Sequence, residues 1–444
     1  MCLHDHESAP SPAGPLSRRN ILAGAAALAG ISAAAVAGHL GAAAPARADG
    51  SPSGPSYPGR PGMPDALIVE GATLVDPATG GAVPDAVVVF DGGVVAAAGT
   101  RDETRRAVAD VAGRALRIDA TGRWIVPGLV DVHVHANALA DARLLLAGGA
   151  TSVRSGSSSF YQDVALSALP EWAPGAAPRM RAAGLFVSPQ LGDSLLADPD
   201  LAPLAPLEGV TEPADLAYLT RVNLSRGAVV IKTRSNPRAG LPEQDPRELV
   251  YGQEQIAAIV SAARGAGVLC HAYSAEGIDG AVRAGVKSIE HGVFVTEATI
   301  AEMARRGTYF TPTMDAITSM ASSSNPVLAA RGAEYTPVLK AAVLAAHEAG
   351  VPVVAGTDSF GTDVTPIGTE VRLLGEAGLS PLEALRAATT RAAALLGWEG
   401  RAGVLARGAF ADAVVLDADP LADAGALKTV RAVVAQGVVV RNEL

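Results

Sequence analysis

The chain has 444 residues, 49% of them apolar, enough to bury one large core or two moderate ones. A formal charge of -10 without any Lys/Arg run offers no concentrated basic face to a polyanion, which excludes nucleic acid as a partner. Cys2 and Cys270 are the only cysteines, so no framework of intrachain disulfides holds the fold.

Residues 1–48 read as an address. Ser17-Arg18-Arg19-Asn20-Ile21-Leu22 precedes an Ala/Gly-rich apolar stretch and then Ala46-Arg47-Ala48, an order that resembles a twin-arginine export signal. The competing reading is a membrane anchor, because 21–38 is apolar apart from Ser32 and just long enough to span a bilayer. Ala and Gly make a weak span and a small-x-small cleavage site follows, so cleavage after Ala48 is expected. The mature protein is then extracellular or periplasmic, with no stable membrane insertion. Cys2 lies ahead of the apolar stretch and cannot be a lipoprotein cysteine. The Ser/Pro/Gly-rich segment 49–64 reads as a flexible linker.

From Ala66 short β-branched runs begin, and 87–90 and 94–97 flank Asp91-Gly92-Gly93, which predicts a hairpin with a three-residue turn. The C-terminal stretch repeats that style at 413–416 and 438–440, with Gln436-Gly437 as a second turn. Between them helical and strand patterns alternate: helix over 253–267, strand over 268–273, helix over 297–307, extended chain over 309–313, helix over 336–350 and strand over 351–355. Helices of about a dozen residues separating short apolar strands predict βαβ units around a buried parallel sheet. The expected fold is α/β, a closed (β/α)₈ barrel over 127–398 with a small β-sandwich formed by both chain ends, 65–126 and 399–444. No Gly-x-Gly-x-x-Gly follows the early strands to favour a dinucleotide fold.

Of eight histidines, His4, His6 and His39 fall in the expected leader. His133 and His135 stand two apart on a strand, so alternation sends both imidazoles to one face, the bite of a metal site. Lys232 ends the apolar run Val229-Val230-Ile231, a costly place for an ammonium unless it is paired, neutralised or modified. His271, His291 and Asp358 each close a strand-like run. Ligand-type residues at the C-terminal ends of successive parallel strands are where a barrel places its catalysis.

The order His-x-His, Lys, His, His, Asp resembles the amidohydrolase superfamily. His271-Ala272-Tyr273-Ser274-Ala275-Glu276-Gly277 and Ser288-Ile289-Glu290-His291-Gly292 resemble its imidazolonepropionase and Xaa-Pro-dipeptidase-like branch. Pro127-Gly128-Leu129-Val130-Asp131 and Gly356-Thr357-Asp358-Ser359 fit as well. The resemblance implies two divalent metal ions, with His133, His135 and Asp358 on one, His271 and His291 on the other, and a carboxylated Lys232 bridging them. Imidazole and carboxylate ligands suit zinc, with manganese, iron and cobalt as alternatives. It further implies hydrolysis of a carbon-nitrogen bond, amide or peptide-like, in a small substrate. Metal lowers the pKa of the attacking water to about 7, and Asp358 is the catalytic residue that takes its proton.

Three stretches depart from the family's usual pattern: Val153-Arg154-Ser155, Gln190-Leu191-Gly192-Asp193 and Gly368-Thr369-Glu370. None touches the six metal positions, so they bear on substrate and not on chemistry. Arg234 and Tyr273, two residues beyond Lys232 and His271, are the candidate substrate-binding residues, Arg234 for a carboxylate. Trp172 is assigned to a loop, His347 to a helix as a surface or packing residue, and Cys270 to the layer between sheet and helices. One alternative is a mononuclear deaminase, whose branch carries a Glu where this chain has Ser274. The other is a catalytically silent metal-binding protein, whose usual mark is a lost ligand. Imidazolone chemistry belongs inside cells, so an amide or dipeptide bond in an external substrate is the expectation. A homo-oligomer is left open.

Overall fold

The computed structural model describes residues 65–444, and the expected leader and linker lie outside them. β1 (Leu67–Asp76), β2 (Gly81–Asp91) and β3 (Val94–Gly99) pair antiparallel in series. The second turn is tighter than the three residues expected. Asp91 pairs with Val94, which leaves Gly92 and Gly93 at φ of 59° and 77°, the two positive angles that a two-residue turn requires and glycine adopts without strain. α1 (Arg101–Val111) begins at a capping box of Thr100 and Glu103, and β4 (Leu116–Asp119) and β5 (Trp124–Pro127) follow.

The middle alternates strand and helix as its periodicity predicts. β6 (Leu129–His135), α2 (Leu139–Ala147), β7 (Ala150–Ser155), α3 (Gln162–Trp172) and β8 (Arg179–Arg181) come first. Then α4 (Pro213–Ser225), β9 (Val230–Arg234), α5 (Gln253–Ala262), β10 (Gly267–Ala272), α6 (Ala275–Ala284) and β11 (Ser288–His291) follow. α7 (Glu297–Arg306), β12 (Tyr309–Thr311), α8 (Met314–Ser319) and α9 (Pro326–Glu348) lead to β13 (Ser359–Phe360). α10 (Ile367–Glu376), α11 (Pro381–Ala387) and α12 (Thr390–Leu395) precede β14 (Ala413–Leu416), β15 (Val430–Ala435) and β16 (Val438–Asn442). No helix among the described residues is long and apolar enough to cross a membrane.

Local chemistry explains these bounds. In α6 the Ser274 hydroxyl caps the Gly277 N–H, Ile278, Ala281 and Val282 face the core, and Gly285 ends the helix at φ 94°. α9 starts ten residues earlier than expected, because Asn325 caps the Val327 and Leu328 N–H groups and Pro326 takes the first turn, where its missing donor costs nothing. Trp172 is the last residue of α3 and not a loop residue. The strand expected over 351–355 is reduced to one parallel bridge, Phe310 to Val353. Val354 still donates to Phe310 O at 2.9 Å, and Val132 to Ala355 O at 3.0 Å, so this run lies between β12 and β6.

The described chain is an α/β fold with three sheets. One has eight strands, ordered β16-β15-β14-β5-β1-β2-β3 with β4 beside β1, and draws on both ends of the chain. Alternation sends Leu67, Val69, Val88, Phe90, Val415 and Val434 into one apolar cluster, and Ile68, Val87 and Val89 into another with Val111 of α1. The other two sheets are parallel and four-stranded, β12-β11-β10-β9 and β13-β6-β7-β8. Val187 pairs with Thr233 in an isolated parallel bridge, and its N–H reaches Lys232 O at 2.9 Å. Strand ends from both parallel sheets therefore carry the residues described next.

Glu370, in the first turn of α10, shows how side-chain chemistry supports that end of the fold. Its carboxylate oxygens accept from Met314 N and Asp315 N, both at 2.9 Å, and so cap α8. Burial nevertheless pushes this carboxyl up to about 8. A folded value above the unfolded one gives stability that is complete below the usual carboxylate range and is lost as pH rises through about 8. Glu370→Gln, a neutral counterpart of the protonated acid, is expected to gain melting temperature relative to wild type as pH rises from 5 to 8. Parallel melting curves across this range would contradict the assignment.

Candidate functional site

His133 and His135 lie at the end of β6, Lys232 in β9, His271 in β10, His291 at the end of β11, and Asp358 in the turn before β13. All six are buried. The structure brings them together. Asp358 Oδ1 lies 3.4 Å from His133 Nε2 and 3.3 Å from His135 Nε2, and these three residues form a group whose ligand atoms lie within 4.8 Å of one another. Lys232 Nζ is 2.9 Å from His133 Nε2. The His291 ring centroid lies 5.6 Å from that of His133 and 4.5 Å from that of His271.

Each histidine has one ring nitrogen tied to a protein acceptor. His133 Nδ1 meets Glu290 Oε2 at 2.7 Å, His135 Nδ1 meets Ser157 O at 3.2 Å, and His271 Nε2 meets Pro237 O at 3.0 Å. Carbonyls and carboxylates only accept, so His133 Nδ1 and His271 Nε2 carry the protons and their opposite nitrogens hold lone pairs, whereas His135 faces an acceptor on both sides, Ser157 O and Asp358 Oδ1. His291 Nδ1 meets Thr313 Oγ1 at 2.7 Å, and that hydroxyl spends its own hydrogen on Pro312 O at 2.8 Å. His291 is therefore a donor at Nδ1 too, and its Nε2 is buried with no hydrogen-bond partner among the described residues.

Electrostatics favours the same state. Burial, reinforced by the Lys232 charge, pushes the His133 imidazole down to about 4. Burial also holds His271 and His291 well below the usual imidazole range. Neutral imidazoles with directed lone pairs are what a metal requires. Space is kept beside them as well, since a Cβ on Gly156 would sit 2.7 Å from His135 Nε2 and 2.9 Å from His133 Cδ2. The orphaned His291 nitrogen and this glycine cradle fit a bound cation.

The backbone here is strained: His291, Thr313 and Asp358 take φ of 68°, 48° and 56°, each at a cost of about 1–3 kcal/mol that surrounding structure must offset. Asp131 ties part of it down. Its Oδ1 accepts from His133 N and Thr357 N, both at 3.1 Å, and its Oδ2 from Thr357 Oγ1 at 2.7 Å, which locks the Asp358 turn to β6.

Sequence reasoning missed several contributors. Arg154, noted above only as a departure, is buried and its Nη2 donates to both Glu290 oxygens at 2.9 and 3.0 Å. Burial alone would raise the Glu290 carboxyl, but the Arg154 charge and the bond from His133 hold it well below the usual range. The signal available was a pair of opposite charges inside apolar strands. Tyr273 stacks on His291, ring centroids 5.0 Å apart, and meets His271 edge-on. Arg234 is buried with its guanidinium 4.6 Å from the Phe186 ring centroid. Arg238 lines two cavities, one with His135, Ser157 and Gln190 and another with His271, Met320 and Asp358. Ser274 caps α6, His347 is half-buried in the last turn of α9, and Cys270 is packed in the main core.

Comparison with known proteins agrees in kind. The Amidohydrolase family matches residues 124–440. Ochratoxinase from Aspergillus niger is 29% identical over 229 residues, 50% of this chain and 47% of that one. The chain spans about half the length of the curated relatives it matches. A solved prolidase complexed with N-methylphosphonate-L-proline is 28% identical, with a TM-score of 0.70 over 85% of this chain and 100% of the other. A Xaa-Pro dipeptidase with bound methionine, at 24% identity and a TM-score of 0.71 over 84% and 99%, shares the fold.

Proposed function

Because this chain belongs to the Amidohydrolase family, we propose that it is a metal-dependent hydrolase of amide or peptide-like carbon-nitrogen bonds in a small substrate. The observation that carries the proposal is the set of four buried histidines, each with one ring nitrogen held by a protein partner, gathered around Asp358 and Lys232. His133, His135 and Asp358 would hold one divalent ion, and His271 and His291 a second, with zinc as the first choice. A closed (β/α)₈ barrel with a sandwich from both chain ends is the architecture in which we place them. The bonds that carry 351–355 between β12 and β6, and Val187 against β9, support closure.

Bound ions would polarise the scissile carbonyl and lower the pKa of the attacking water to about 7. Lys232 would join the centre as a carbamate, its neutral amine adding to CO₂ with release of a proton. That change removes the ammonium now beside His133 Nε2 and supplies two oxygens for bridging. Asp358 takes the proton of the attacking water and hands it to the leaving amine. Tyr273 and Arg234 stand beside the centre for substrate, and Arg238 joins them because it lines both adjoining cavities. The prolidase and the Xaa-Pro dipeptidase among the similar structures favour a dipeptide-like amide as the substrate class. Residues 1–48 would act as a twin-arginine leader and place the mature enzyme outside the cytoplasm.

The compact group of His133, His135 and Asp358 also suits a second reading with a single ion. One experiment addresses both. The chain starting at Asp49 is loaded with zinc and freed of loose metal, then assayed on N-acyl amino acids and Xaa-Pro dipeptides. We expect about two ions per chain, hydrolysis of at least one substrate class, loss with a chelator and recovery with zinc or manganese. One firm ion favours the mononuclear reading, and full activity after exhaustive chelation would defeat metal dependence.

A further inference from the structure

The loop after β9 leaves the sheet at Ser235 and returns at the same place. Val250 N donates to Ser235 O at 2.8 Å. Asn236 Nδ2 donates to Glu248 O at 2.6 Å and to Ser274 Oγ at 2.8 Å, while its Oδ1 accepts from Tyr273 N at 2.8 Å. The result is an Ω-shaped loop with a stapled neck. Pro237 lies just inside the neck, and its carbonyl is the acceptor that fixes the proton of His271 on Nε2. Arg238 follows.

Among the described residues no strand pairs with the far side of this loop and few backbone bonds close within it, so a side-chain donor adds to its support. Arg331, on α9, provides it. Its Nη1 donates to Ala239 O at 2.9 Å and to Leu241 O at 2.8 Å, and its Nη2 to Gln244 O. Gln244 Oε1 in turn accepts from Arg238 N at 2.8 Å. One planar fork thus holds three carbonyls, a geometry that the single ammonium of lysine cannot reproduce.

We infer that Arg331, which touches none of the six site residues, is a positioning residue for the second metal half-site. By holding the loop it sets where the Pro237 carbonyl lies, and that carbonyl decides which nitrogen of His271 offers a lone pair. With the loop released, His271 can place its proton on Nδ1 and so block coordination there. The inference rests on the two-ion reading above for its effect on metal, but not for its effect on the loop.

The test compares wild type with Arg331→Gln and Arg331→Lys. Proteins carrying ¹⁵N-histidine are studied metal-free by NMR for the His271 tautomer, cut with limiting trypsin, and titrated with zinc. In Arg331→Gln we expect His271 to lose its uniform Nε2–H form, faster cleavage after Arg238, and a second ion bound roughly 10- to 100-fold more weakly. The first ion should bind as in wild type. Arg331→Lys should fall between. An unchanged tautomer and unchanged cleavage in Arg331→Gln would overturn the inference, as would equal weakening of both ions, which marks a general loss of folding. Should wild type bind only one ion while the tautomer and cleavage shift as described, the two-ion reading fails and the positioning role of Arg331 stands.

Discussion

Asp358→Asn is expected to lower hydrolysis by roughly 10²-fold or more on any substrate that the wild type cleaves, with only a modest change in melting temperature. Asparagine keeps the shape and one acceptor oxygen beside His133 and His135, but it cannot take a proton. It is also the substitution least disturbed by the backbone, because Asp358 sits at φ 56° and asparagine enters that left-handed region more readily than other residues. The lock from Asp131 to Thr357 remains intact. Metal content should therefore stay close to wild type while turnover collapses. Activity within a few-fold of wild type, at equal metal content, would show that another group moves the proton.

The second large effect concerns stability. Glu290→Ala is expected to cost about 3–5 kcal/mol, because it leaves the buried Arg154 guanidinium without its counter-charge. Arg154 makes that position expensive in several directions at once. Its Nε donates to Val132 O at 2.6 Å and its Nη1 to Ser288 Oγ at 2.9 Å, so it cannot swing out to water without breaking strand contacts. The same substitution removes the acceptor of His133 Nδ1 and should weaken metal binding roughly 10- to 100-fold. Replacing both partners, Arg154→Met with Glu290→Gln, leaves no unpaired charge and should regain much of the lost stability, although not the metal affinity. Urea midpoints of the two single variants and the double variant decide the matter. If the double variant is as unstable as the summed singles, the pair is not the coupled unit described.

Much of the site was legible from local pattern. A His-x-His on an apolar strand, and Lys232, His271, His291 and Asp358 each closing a strand-like run, announce their position because strand alternation and strand ends are properties of a few adjacent residues. The shared sheet of the two chain ends was visible in the same way, from matching β-branched runs. Helix starts were less so: α9 begins at the Asn325-Pro326 cap, ahead of the expected start at 336, and carries Pro337 in its interior.

What only the tertiary structure decided are the partners that orient those residues. Glu290 and His133 are 157 positions apart, and Arg331 and Ala239 are 92 apart. Such pairs depend on strand register and loop path, which side-chain type does not specify. The left-handed backbone at His291 and Asp358 has no sequence mark either, since neither is glycine and the strain is tolerated only because the surrounding bonds hold it. By itself the sequence determined which groups could meet a metal. The register between distant strands determined which protein partner each histidine nitrogen meets.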